Sequence, residues 1–248
     1  MNKNLLMLAA LALVAVGCKK DKDEEPTPTP APTTGVFKIS LGFHWGEPDF
    51  NLDDTYTDGA GHTIKFSAVK FYLSETHVEN AGSIVGDFHN SFILGDASNE
   101  QVYTVGNLTA GSFDNLAITV GLDSEVNHAD PTLAVAPLND PSMHWSWNPA
   151  AGYKFLVLEG RVDGNGDNMI DDTDPAFEYH CATDACMRTA SIPMLGSIAA
   201  GGSYIQHIHV RVNQLVTGVD MLTTPMGHGN EAVNAQLMDN LAGALEIE

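Results

Sequence analysis

Tyr204–Asn213 is rich in β-forming residues and reads as a strand, and the chemistry begins on it. Side chains alternate across a strand, so His207 and His209 share one face with Ile205 and Arg211. Two imidazoles two residues apart on one face can grip a borderline metal such as copper or zinc. His44 ends an earlier predicted strand, Val36–Trp45, on the polar face opposite Phe43. His228 closes a Met/His-rich loop, Met221–His228, where thioether and imidazole together suit copper in either oxidation state. These four of the chain's ten histidines, His44, His207, His209 and His228, are the expected ligand set. Against it stands Arg211, which repels a cation if it shares the ligand face and points inward. A single histidine is also more often a hydrogen-bonded structural residue than a ligand. His62, His77 and His89 lie in polar stretches and read as surface residues. Spacing alone does not choose copper over zinc.

A second constellation is built from oxygen. Hard cations need clustered oxygen ligands, which a twelve-residue loop supplies at positions one, three, five, seven, nine and twelve. Here those positions hold Asp163, Asn165, Asp167, the Met169 carbonyl, Asp171 and Asp174. Ile170 stands where such loops tuck an apolar residue inward. Asn168 takes the place of the usual glycine and tolerates the left-handed conformation. A strand pattern, not a helix, precedes the segment, so it resembles the dockerin-type calcium loop. A structural calcium is expected there; the alternative is an Asp/Gly-rich turn without metal.

These groups need a scaffold, and strand signals dominate. Val36–Trp45, Ile64–Leu73, Leu116–Gly121, Tyr153–Val162 and Tyr204–Val212 are short β-rich runs separated by Gly, Asn and Asp clusters. Only Glu231–Leu241 carries helical spacing. The fold class expected is mainly β: a β-sandwich or open barrel with long loops and a short C-terminal helix.

The N-terminal residues predict export. Lys3 is followed by an apolar run, Leu5–Val16, then small residues and Cys18. The run is shorter than the about 20 residues that span a bilayer. Residues 1–17 therefore read as a lipoprotein signal peptide and Cys18 as the lipidated cysteine that holds the protein on a membrane. Residues 18–35 form a charged, Pro/Thr-rich tether that cannot bury a core, and 36–248 is the folded domain. The expected location is the outer membrane, on its periplasmic face or at the cell surface. In an oxidising compartment Cys181 and Cys186 are expected to form a disulfide; a metal–thiolate pair beside His180 is the rival reading. A net charge of −21 argues against nucleic acid as a partner and favours cations.

A resemblance narrows the metal. Gly121–Ser124, Asn127-His128, Pro137–Asn139, Met143, Trp145-Ser-Trp147, Gly152–Phe155 and Leu158–Gly160 resemble the MbnP-like family of periplasmic copper-binding proteins associated with methanobactin gene clusters, and its lipoprotein relatives. Flanking pieces fall in order around them: Phe43–Gly46, Phe71–Ser74, His180–Cys186, Leu215–Asp220 and Asp239–Leu245. The Asp163–Asp174 loop looks like an insertion into that pattern. The resemblance implies a β-rich fold, a mononuclear copper site of histidines, and a tryptophan oxidised to kynurenine by a di-haem MauG-like peroxidase partner. Trp45, Trp145 and Trp147 are the candidates, with Trp45 favoured because it adjoins His44.

The function expected is thus copper handling or acquisition by an exported lipoprotein with a calcium loop. The competing reading is a calcium-stabilised surface adhesion or structural β-domain without transition metal. No phosphate loop, nucleophile elbow or zincin helix is present in the sequence, and an enzyme is not expected.

Overall fold

Strict alternation makes the first strand: Phe37, Ile39, Leu41 and Phe43 are buried, while Lys38, Ser40, Gly42 and His44 face outward. The computed structural model describes residues 33–145 and 151–247. Among the described residues the strands, in chain order, are β1 (Thr34–His44), β2 (Tyr56–Thr57), β3 (Thr63–Asn80), β4 (Ser83–Phe88), β5 (Ile93–Asp96), β6 (Val102–Thr109), β7 (Gly111–Val120), β8 (Lys154–Val162), β9 (Ala176–Ala182), β10 (Arg188–Ile198), β11 (Ser203–Arg211), β12 (Met226–Gly229) and β13 (Leu245–Ile247). They form a smaller sheet, ordered β13-β11-β1-β6, and a larger one along β10-β7-β3-β8-β9-β12. The fold is mainly β, as expected, and neither sheet closes into a barrel.

The buried rings of β1 meet those of the larger sheet: Phe43 lies 6.0 Å from Phe71, and Phe37 6.0 Å from Phe113 in an edge-on contact. Apolar faces of two sheets therefore enclose one core, which is the logic of a β-sandwich. The long strand β3 organises the larger sheet. One of its edges pairs with β8 over Ile64–Phe71 and then with β7 over Leu73–Glu79. The opposite edge carries β2, β5 and β4. At Gly160 the β8 backbone presses so close to β3 that a Cβ would stand 2.2 Å from the Lys65 carbonyl oxygen.

Two single-turn helices, α1 (Ser124–Asn127) and α2 (Val212–Leu215), precede the helix α3 (Ala232–Gly243). The latter buries Asn234, Leu237, Met238 and Leu241, spaced for one face of a helix. It packs against β9, β10 and β12.

The cysteines depart from expectation. Cys181 and Cys186 are both free, buried thiols rather than a disulfide. Each sulfur is turned to a carbonyl: Cys181 donates to Asn234 at 3.6 Å and Cys186 to Gly229 at 3.3 Å. Burial pushes both thiols above their ordinary pKa, so they act as small apolar residues with weak donors.

Candidate metal centre

Glu178 and His180 alternate with Phe177 and Tyr179 on β9, so the acidic and imidazole side chains share the outer face while the rings enter the core. Strand β12 runs parallel to β9 with His228 directly opposite His180. One ligand atom from each of Glu178, His180 and His228 lies within 4.8 Å of the other two. Glu178 Oε1 stands 3.3 Å from His180 Nδ1 and 3.2 Å from His228 Nε2.

His180 is the key residue. It faces outward yet is only 6% exposed. Its Nε2 contacts Glu159 Oε1 at 2.7 Å, from the neighbouring strand β8. That bond fixes the ring and holds the Glu159 carboxyl below its ordinary pKa. The other nitrogen, Nδ1, is buried and has no hydrogen-bond partner among the described residues, although a carboxylate oxygen lies close by. A buried polar nitrogen without a partner is costly. A ligating histidine whose second nitrogen is held by a carboxylate is the usual arrangement at protein metal sites.

Trp145 covers the site, its ring centroid 5.4 Å from that of His180 and 6.1 Å from that of His228. Lys154 Nζ lies 4.7 Å from the Trp145 centroid. Burial lowers the Lys154 pKa, opposed by the charges of Glu159 and Glu178. Carboxylate, two imidazoles and an electron-rich ring thus converge on one point of the larger sheet.

The expected ligand set divides between the two sheets. His44, His207 and His209 line a cavity of about 270 Å³ on the smaller sheet, together with Asp49 and Glu100. Parallel pairing sets Ser40 beside His207 and Gly42 beside His209. The His44 and His209 rings lie 4.1 Å apart at 39°, and His44 Nδ1, buried and without a hydrogen bond, is 3.4 Å from Asp49 Oδ1. Arg211 turns aside to Glu246 and the Gly46 carbonyl, so the feared repulsion is relieved. His228, in contrast, sits with His180 on the larger sheet. Trp45 packs on Tyr56 at 4.5 Å and on Phe66 at 6.1 Å. Cys18 and Trp147 lie outside the described residues.

In the oxygen-rich loop, Asp163 accepts from the amides of Asn165, Gly166 and Asn168, while Asp174 accepts from those of Gly164 and Asp171. Burial alone would raise the Asp163 pKa, but those amides outweigh it and hold the carboxyl low. Asn168 has a φ of 60°, the left-handed conformation expected at this position. Ile170 is half-buried and lines one cavity with Phe66 and Phe177. Asp167 and Asp171 cap the following amides of Met169 and Thr173.

Two packed sheets with a candidate metal-ligand group of two histidines and a carboxylate on an outer face define a β-sandwich. The MbnP family profile matches residues 34–235, and the chain belongs to the MbnP family. Among solved structures, MbnP from Methylosinus trichosporium is similar, with a TM-score of 0.53 at 14% identity over 81% of this chain and 82% of that one. At that identity the likeness speaks for the fold alone. The comparison with curated proteins gives no match.

Proposed function

We propose that this protein binds copper at Glu178, His180 and His228, as an exported lipoprotein anchored through Cys18 at the outer membrane. The observation that carries the reading is His180: a buried Nδ1 without a partner, beside Glu178 and His228, with Glu159 holding the opposite nitrogen. Two imidazoles and one carboxylate fit a borderline transition ion. The bound ion would supply a redox-active centre or a transferable cargo. The protein's own part is to orient the two rings and to shield one side with Trp145. Its packing against both imidazoles supports Trp145 as the candidate for oxidation to kynurenine by a di-haem MauG-like partner. The role is binding and handling rather than catalysis, with calcium at Asp163–Asp174 as a structural ion.

A second reading keeps copper on His44, His207 and His209, favoured by the unpartnered His44 Nδ1 beside His209. There the two rings pack directly on each other, with centroids 4.1 Å apart and a tilt of 39°. Intact mass with elemental analysis of protein from its native envelope decides between them. Wild type and His207→Ala/His209→Ala should carry one copper per chain, and His180→Ala/His228→Ala none. The opposite pattern assigns copper to the smaller sheet; calcium alone in wild type turns the reading to an adhesion domain. Lipid on Cys18, and the oxygen gain and carbon loss of a kynurenine, would appear in the same spectrum.

A further inference from the structure

Far along β3 from the centre just described, a second two-histidine, one-carboxylate group stands on the β3–β4 hairpin. His77 on β3 is paired directly with Asp87 on β4. Side chains of directly paired residues in an antiparallel ladder share one face, with Cβ atoms about 5 Å apart. His89 follows Asp87 by two residues, past the end of β4, where the Ser91 amide donates to the Phe88 carbonyl and closes a turn. The turn brings His89 back over the hairpin, with its ring edge-on to His77 and the centroids 5.5 Å apart.

The three ligand atoms converge on one place. Asp87 Oδ1 lies 3.3 Å from His77 Nδ1 and 3.1 Å from His89 Nε2, and one ligand atom from each residue is within 4.8 Å of the others. Neighbouring ligands on a tetrahedral ion with bonds of about 2.0–2.1 Å stand about 3.3 Å apart. Yet His77 Nδ1 is buried and makes no hydrogen bond, to Asp87 or to any described residue. Nitrogen and oxygen are close without pointing at each other, as atoms around a shared centre are and as donor and acceptor are not. An ion pair between protonated imidazoles and Asp87 would account for the proximity, but it leaves His77 Nδ1 without an aligned acceptor.

We propose that His77, Asp87 and His89 form a second metal site, which takes a borderline divalent cation of the Zn²⁺ type and staples the turn after β4 onto β3. Two imidazoles and one carboxylate leave a fourth position to water. His89 and Asp87 are 62% and 46% exposed, so the site is open to exchange with solvent rather than sealed. It shares no residue with Glu178, His180 and His228, and it stands or falls independently of the copper reading.

The test is zinc binding by the full chain, with Zn²⁺ alone as probe, followed by equilibrium dialysis and by the imidazole resonances in nitrogen-edited NMR. Wild type is compared with Asp87→Ala/His89→Ala, and the same pair is compared in a His180→Ala/His228→Ala background. The hairpin variant should bind one zinc fewer per chain, or bind that zinc at least tenfold more weakly, in both backgrounds. Its copper content should match its parent's. In wild type, His77 and His89 should be among the resonances moved by zinc. Equal zinc stoichiometry and affinity with and without Asp87 and His89, or His77 and His89 resonances unmoved by saturating zinc, would overturn the proposal. Should the double variant misfold, His89→Gln on the exposed member of the triad carries the same comparison.

Discussion

At the scale of single residues, the acidic groups that matter are those whose oxygens are already committed. Asp58, only 6% exposed, accepts from the amides of Ala60, His62 and Met221 and contacts His62 Nδ1 at 3.1 Å. It ties the loop before β3 to the segment before β12. Burial pushes its pKa up, but the His62 and Met221 amides and the other bonds prevail and hold it below the ordinary value. Removing such a carboxylate leaves buried donors unpaired, at a cost of about 3 kcal/mol. For a domain of this size that is a Tm loss of about 6–12 °C. Thermal melts of Asp58→Ala at neutral pH should show it. The sign of the pH effect follows from the depressed pKa: the stabilisation is complete above the ordinary carboxylate range and is lost as pH falls through the folded value. The gap between wild type and Asp58→Ala should therefore narrow below about pH 4. A gap that is constant from pH 7 to pH 3 would show that the charge of Asp58 is not what holds the two segments.

At the scale of elements, the candidate centre depends on a strand that has almost no strand character. Met226–Gly229 reads Met-Gly-His-Gly, and glycine weakens a strand. It is held by pairing with β9 and by Asn234 of α3, fully buried, whose Nδ2 donates to the His180 carbonyl at 3.1 Å and the Gly229 carbonyl at 3.0 Å. Asn234 can approach only because residue 227 is glycine; a Cβ there would lie 2.4 Å from Asn234 Oδ1. Asn234 is thus a positioning residue for His228. Asn234→Ala should weaken copper binding by about tenfold with the ligands themselves intact, measured by competition against a chelator. The same substitution in the His180→Ala/His228→Ala background should leave residual metal binding unchanged. This dependence explains what could be read from the chain. Strands with strong alternation, β1 and β11, were legible, and so were β3, β7 and β8 in their apolar parts. β12 was not, because its conformation is imposed by a neighbour 48 residues away in sequence, as the pairing of His228 with His180 shows. His180 was missed as a candidate ligand although Glu178 and His180 obey the same two-residue spacing that singled out His207 and His209. What sequence could not reveal is that an outward histidine is buried by Trp145 and Glu159. Nor could it show that His228 belongs with His180 rather than with His44.

At the scale of the molecule, the β8–β9 hairpin carries both proposed structural and functional ions, one at its tip and one along its outer face. His180 lies six positions after Asp174, about 20 Å of near-extended chain. Perturbations separated by more than about 7–10 Å and sharing no partner add independently. A link that could break this rule runs along β8: Arg161 donates to the Asp174 carbonyl at 2.6 Å, two residues from Glu159, which buttresses His180. Arg161 and Glu159 share a face of β8, but they have separate partners: Arg161 holds the Asp174 carbonyl and Glu159 is held by its own bond to His180. Calcium at a hundred times its Kd should stabilise the fold by about 2.7 kcal/mol, which is about 5–11 °C in Tm. Copper should add its own increment on top, and the two shifts measured together should equal their sum within error. Chelating calcium should leave copper affinity within about twofold, since the contacts that orient His180 do not pass through the loop. A calcium-dependent change of tenfold or more would mean that Arg161 transmits the state of the loop to Glu159, and Arg161→Ala should then abolish the coupling while leaving both ions bound.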